Sequence, residues 1–271
     1  MSEPYFEIEP KKLDRLAAEH RESYRSADPF PHTVIDDFAR PEVLERVLEE
    51  FPDSSHPHWD HMNDVDQNKF ACNDTRLLGT NTRRLIDTLN GRDMINFLSE
   101  VTGIEGLVAD PHLAGGGLHE IRRGGMLRVH ADFNYHEEIR LDRRINLLLY
   151  LNQDWKSEYG GQLELWDTQM KQPVKKVDPV FNRCVIFNTT DDSYHGHPDP
   201  LRCPEDRSRR SIAMYYYTNG RPKDEVSEGH GTLFQKRPGE GTAAERRKDF
   251  VRSLVPPIVW DKLRSARRKL S

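Results

Sequence analysis

Between about residue 107 and residue 220 the apolar residues come in short runs, each closed by Gly, Asn, Asp or Pro: EIRRGGMLRVHAD, RRINLLLYLNQDW, GGQLELWD, VKKVDP, NRCVIFN and RRSIAMYYYT. This is strand spacing, and no helical pattern of about 10–15 residues intervenes, which argues against a parallel sheet built from crossover helices. The pattern predicts an antiparallel sandwich or jelly-roll barrel.

Upstream the periodicity changes. Leu13, Leu16, Ala17, His20 and Tyr24 recur at helical spacing, and Val43, Leu44, Val47, Leu48 and Phe51 form a second stripe after Pro41, with Pro52 as its stop. HTVIDDF (32–38) has the β-branched content of a short strand, and Leu85 to Val101 predicts one or two helices closing at Gly103. Residues 53–82 are polar, carry His56, His58 and His61, and read as a long surface excursion or lid. The 271 residues are thus divided into a mixed, helix-rich region at 1–106, a β core at 107–220, and a tail at 221–271. The tail reads as loop, then a basic helix over Asp261 to Lys269 taken as a solvated face. The fold class expected is α+β with a mainly β core.

With Lys+Arg 40 against Asp+Glu 45, the net charge of −5 gives no case for binding nucleic acid. No apolar run approaches the roughly 18 residues of a membrane span, and MSEPYFEIEPKK lacks a signal peptide's apolar stretch, so a cytoplasmic location is expected. Cys72, Cys184 and Cys203 show no CxxC pairing, which argues against a disulfide framework or a thiolate zinc site.

The residues that suggest chemistry lie in the β core. His130 and Asp132 flank Ala131 at a strand end, where alternation sends both side chains to one face. His195 follows the strand NRCVIFN, so a second imidazole can stand at the end of another strand; His197, two residues on, could replace it. Two imidazoles and one carboxylate on one face leave positions of an octahedral metal open for a co-substrate and O2. Downstream, Arg209 and Ser211 share a strand face suited to capturing a carboxylate, while Arg210 points outward. The same alternation puts Arg144, Asn146, Leu148 and Tyr150 on one face, where the Tyr150 hydroxyl either reaches that carboxylate or is a satisfied core group.

The order of parts is a GG-containing strand, HxD, a YLN-x-DW strand, GG-x-L-x-L, a distal His and R-x-S. It resembles the Fe(II)- and 2-oxoglutarate-dependent oxygenases of the prolyl 4-hydroxylase type over roughly residues 107–220. The resemblance implies a double-stranded β-helix flanked by the N-terminal helices, Fe(II) as cofactor, and 2-oxoglutarate and O2 as co-substrates. It implies His130, Asp132 and His195 as iron ligands, Arg209 as the residue holding the distal carboxylate of 2-oxoglutarate, Tyr150 and Ser211 as its helpers, and Leu163 as an apolar neighbour. The Gly196-His197-Pro198 segment favours His195 over His197 as the distal ligand, and strand parity with Ser211 favours Arg209 over Arg210. Asp132 argues against halogenation, since related halogenases carry a small residue there.

The expected activity is oxidation of an unactivated C–H of a small polar metabolite, releasing succinate and CO2, with peptidyl prolyl hydroxylation as the alternative. A non-catalytic metal-binding jelly roll is the reading from a different class. Candidate substrate contacts are Asn146, Phe133 and Asn134, each with a packing alternative, and His119, whose alternative is a surface or turn residue. Asp110-Pro111-His112 reads as a turn as readily as a contact, and Trp166 as an outward packing residue.

Overall fold

The computed structural model describes residues 6–53, 55–57 and 59–240; the helix expected over Asp261 to Lys269, and His58, lie outside the described residues. The chain divides into two units after Gln235, and the first is the subject below.

Four helices are packed from the amphipathic stripes. The helix α1 (Pro10–Arg25) buries Leu13, Leu16, Ala17 and Tyr24, and α2 (Pro41–Glu49) buries Val43, Leu44 and Val47. Both begin at a proline, whose missing N–H is no loss in the first turn. α3 (Thr80–Leu89) and α4 (Arg92–Thr102) follow, and α4 stops at Gly103, whose φ of 76° is the left-handed conformation glycine adopts readily. Gly79 offers α3 no capping side chain. Glu50, just past α2, supplies the cap instead, accepting the N–H groups of Asn81 and Thr82 at 3.1 and 2.9 Å.

The strands are β1 (His32–Ile35), β2 (Asp60–Asn63), β3 (Asn68–Cys72), β4 (Val108–Ala109), β5 (Gly117–Arg122), β6 (Leu127–Ala131) and β7 (Tyr135–His136). They continue with β8 (Leu141–Tyr150), β9 (Leu163–Trp166), β10 (Pro173–Val177), β11 (Cys184–Asn188), β12 (His195–His197), β13 (Ser208–Thr218) and β14 (Leu233–Phe234). Among the described residues the major sheet runs β1-β11-β8-β13-β5-β3-β2, with β4 on β13 and β7 on β8; the minor sheet runs β10-β9-β12-β6-β14. The strand ladders of both sheets are antiparallel.

The run INLLLYL is apolar on both faces because both faces are buried. Ile145, Leu147 and Leu149 join Ile212, Met214 and Tyr216 in the core with the helices. Tyr150 points the other way, into a cluster with Leu163, Leu165, Val185 and Phe187. Full burial of such a side chain contributes about 1.5–3 kcal/mol.

Within residues 53–82, where no regular element was expected, β2 and β3 form a hairpin. It extends the major sheet through Phe70↔Glu120, Ala71↔His119 and Cys72↔Leu118. Its turn reaches the minor sheet: Gln67 bridges Leu127, and the Arg128 N–H donates to Asp66 O at 2.8 Å. These polar strands owe their state to pairing, β3 with β5 and β2 with β3, rather than to their own propensity. The post-220 segment, read as loop, likewise yields β14, which pairs Leu233 with Ala131 and Phe234 with His130. The three cysteines are free and buried. Among the described residues no helix is long and apolar enough to cross a membrane.

Candidate active site

The His-x-Asp pair sits at the C-terminal end of β6. Residues 189–194 turn the chain from β11 into the other sheet, so His195 opens β12 of its own rather than standing at the end of β11, the position expected. The seat of β12 between β6 and β9 sets His195 opposite both His130 and Leu165. Gly196 permits this close fit: a Cβ there would lie 2.8 Å from the Arg128 carbonyl and 2.9 Å from that of Leu127.

One ligand atom from each of His130, Asp132 and His195 lies within 4.8 Å of the others, and all three residues are buried. The Nε2 of His130 is 3.6 Å from Asp132 Oδ1, and that of His195 is 3.4 Å from Oδ2. The opposite ring nitrogens explain this orientation. Nδ1 of His130 donates to Arg128 O at 2.8 Å and Nδ1 of His195 to Ser193 O at 2.9 Å. A carbonyl oxygen only accepts, so each Nδ1 carries a proton and it is Nε2, the lone-pair nitrogen of the neutral ring, that faces inward. Burial pushes the His195 pKa down to about 4, which keeps that lone pair free at neutral pH. Burial alone would raise the Asp132 pKa; Arg143, then His195 and His130, hold it well below the usual range. Two imidazole Nε2 atoms and an ionised carboxylate converging on one point fit an Fe(II) ion. His197 does not join the cluster.

Asp132 is held from behind. Asn146 donates from Nδ2 to its Oδ2 at 2.5 Å, and the Arg143 guanidinium lies 3.1 Å from the same oxygen. Arg143 also donates to Asn146 Oδ1, and packs 3.4 Å from the Tyr215 ring centroid and 4.3 Å from that of Phe133. At 1% exposure it is among the most buried side chains described. Strict alternation along β8 selects Arg144 instead. The β8–β13 register shifts between Tyr216↔Ile145 and Tyr217↔Arg143, a bulge that turns Arg143 inward and sends Arg144 to Thr218 and Glu225.

Arg209 lies 4% exposed, donating from Nε to Gly161 O at 2.9 Å and from Nη2 to the Tyr150 hydroxyl at 3.2 Å. Gly161 has φ +76°, and a Cβ on it would come within 2.7 Å of Leu201 and 3.0 Å of Arg209, so the close approach requires glycine. Among the described residues no carboxylate faces this guanidinium, and burial lowers its pKa. Arg210 points outward as parity implies, pairing with Glu120 at 3.2 Å and lying 4.6 Å from the Phe51 ring centroid.

Arg209, Ser211, Leu163, His119, His197 and Lys69 line one cavity of about 60 Å³ with the metal-ligand cluster. Lys69, from the hairpin, was not anticipated; burial lowers its pKa, against the pull of Asp132. His119 donates from Nε2 to Gly115 O at 3.1 Å, and burial, with Lys69 next, pushes its pKa down to about 3. His197 is 3% exposed and neither ring nitrogen has a hydrogen-bond partner among the described residues.

Two expected substrate contacts lie elsewhere. The Asn134 side chain ties down the segment after β13, donating to Ser227 Oγ at 2.9 Å and Glu228 O at 3.0 Å and accepting the His230 N–H at 2.8 Å. Phe133 packs edge-on against Tyr215 beneath Arg143. Asp110 holds a turn by accepting the N–H groups of His112 and Ala114. Trp166 donates to Glu164 away from the cavity.

Residues 116–244 match the family described as the 2OG-Fe(II) oxygenase superfamily. A stretch of 86 residues is 37% identical to the mouse prolyl 3-hydroxylase OGFOD1, covering 30% of this chain and 15% of that protein. The fold is similar to that of a Trichoplax adhaerens prolyl hydroxylase solved with a hypoxia-inducible-factor peptide: TM-score 0.56, 19% identity, 76% of this chain and 91% of that one. A Pseudomonas putida prolyl 4-hydroxylase aligns with TM-score 0.55 and 14% identity over 75% of this chain and 100% of its own.

Proposed function

We propose that this chain, whose residues 116–244 are a 2OG-Fe(II) oxygenase domain of the prolyl 4-hydroxylase type, hydroxylates a prolyl residue of a peptide or protein. It is a dioxygenase that uses Fe(II), O2 and 2-oxoglutarate. Per hydroxylation, one O2 and one 2-oxoglutarate are consumed and one succinate and one CO2 are released. The core at 107–220 is read as a double-stranded β-helix, with 1–106 as its flanking region.

His130, Asp132 and His195 would hold the iron. Bound there, Fe(II) supplies the O2-activating chemistry that an unactivated C–H requires. The chain's own groups position the reactants. Asn146 and Arg143 occupy one oxygen of Asp132 and fix the carboxylate's orientation. Arg209 takes the distal carboxylate of 2-oxoglutarate as the counter-charge it otherwise lacks. The Tyr150 hydroxyl accepts from Arg209, leaving its own proton free for the same carboxylate. Ser211 and Leu163 complete the wall.

The observation that carries the co-substrate assignment is the buried Arg209 with no carboxylate beside it among the described residues, since burying an unpaired cation is costly unless a ligand pairs it. The 37% identical stretch shared with a prolyl 3-hydroxylase supports a peptidyl substrate over the small polar metabolite that the sequence suggested. The polar segment 53–82, read from sequence as a surface excursion or lid, contributes a strand pair to the sheet. Proline-containing peptides incubated with the Fe(II)-loaded chain, 2-oxoglutarate and O2 should gain one oxygen on proline with matching succinate release. Succinate release driven by free metabolites, with every peptide unmodified, would refute the peptidyl reading.

A further inference from the structure

His197 shares the inward face of β12 with His195, two residues earlier. The register places it more closely. His195 pairs with Leu165 and Gly196 with Glu164, so the ladder carries His197 towards Leu163 and on towards Gly161, whose carbonyl accepts the Arg209 Nε–H. His197 therefore lines the cavity that the metal-ligand cluster and the Arg209 guanidinium share.

An imidazole at 3% exposure with two orphaned nitrogens is an expensive way to fill space, and an aliphatic side chain would pack there without that penalty. Among the described residues no group satisfies these two atoms, which leaves them available to a bound ligand. Arg209 meanwhile spends two of its N–H groups on Gly161 and Tyr150, so its fork cannot present its Nε edge to a ligand. Its remaining Nη1 and Nη2 N–H groups can grip a carboxylate end-on, which leaves that carboxylate acceptor capacity for a further donor.

We propose that His197 is a further co-substrate-binding residue, donating its ring N–H to the carboxylate that Arg209 pairs with. Recognition of the 2-oxo diacid is then two-sided: a guanidinium from the major sheet and an imidazole N–H from the minor sheet. The inference rests on the assignment of Arg209 to 2-oxoglutarate above.

The test is calorimetric titration of the full chain, loaded with Mn(II) under argon, with 2-oxoglutarate and with 2-oxovalerate, which replaces the distal carboxylate by a methyl group. His197→Leu and His197→Val each remove the donor, so either suffices if the other fails to fold; His197→Gln keeps an N–H. Losing one hydrogen bond to a charged group should weaken 2-oxoglutarate binding about tenfold to a hundredfold in the aliphatic variants. His197→Gln should recover part of it, and 2-oxovalerate binding should not fall. Unchanged 2-oxoglutarate affinity would overturn the proposal, as would an equal loss for both ligands, which would mark general damage to the cavity. If the wild-type chain binds no 2-oxoglutarate, the oxygenase site assignment itself falls.

Discussion

Replacing Arg143 by methionine keeps the aliphatic stem and removes the buried charge behind Asp132. At 3.1 Å, with an effective dielectric constant of about 20, the Coulomb attraction is about 5 kcal/mol. That agrees with the roughly 3–5 kcal/mol lost when one partner of a buried pair is removed. A smaller part does not depend on Asp132: the stacking of the guanidinium on Tyr215 and Phe133, worth about 0.5–2 kcal/mol. A divalent ion in the cluster supplies Asp132 with another counter-charge, so only that smaller part should remain in the loaded protein. At about 2 °C per kcal/mol for a chain of this size, R143M should lower the melting temperature by about 6–10 °C in chelator and about 1–4 °C with Mn(II). Thermal denaturation monitored by circular dichroism in both conditions reads the difference. Equal losses with and without metal would refute the reasoning, because Arg143 would then serve packing alone.

His130→Ala and Asp132→Ala should each abolish Fe(II) retention through desalting, read by metal analysis, whereas Arg209→Met should keep the iron. Arg209→Met should instead weaken 2-oxoglutarate binding by about 2–5 kcal/mol, measured by titration, because a charge-assisted pair is lost in a buried site. At α3, burial opposes ionisation of Glu50, but its hydrogen bonds to Thr82 and Asn81 prevail and leave its pKa lowered. A depressed carboxylate pKa contributes stability above the unfolded value and loses it as pH falls through the folded one. E50Q should therefore cost about 1 kcal/mol near neutrality, less where solvent screens the carboxylate, and the gap should close below about pH 4.3 in urea melts.

The major strands were legible because both sides of the major sheet are buried, so the runs around Leu147, Val185 and Ile212 stay apolar whatever their parity. Period-two alternation was enough to bring His130 and Asp132 together and to choose Arg209 over Arg210 for the interior. It failed at Arg143, where one bulge reverses the face. The hairpin at 60–72 was illegible because DHMN and NKFAC carry little β propensity; a neighbouring strand edge makes them strands. Asn134 was misplaced because a loop after a strand has no period to extrapolate. A three-residue strand such as β12 is too short to announce itself, and with it the place of His197 on the wall of the shared cavity was hidden.

Anaerobic titration of the Fe(II)-loaded chain with 2-oxoglutarate, followed by visible absorption with Arg209→Met in parallel, tests the assignment of cofactor and co-substrate most directly. A saturable charge-transfer band in the wild-type protein that needs far more 2-oxoglutarate in the variant is the predicted result. A folded, iron-loaded wild-type protein that shows no band, or a variant that titrates identically, would contradict it.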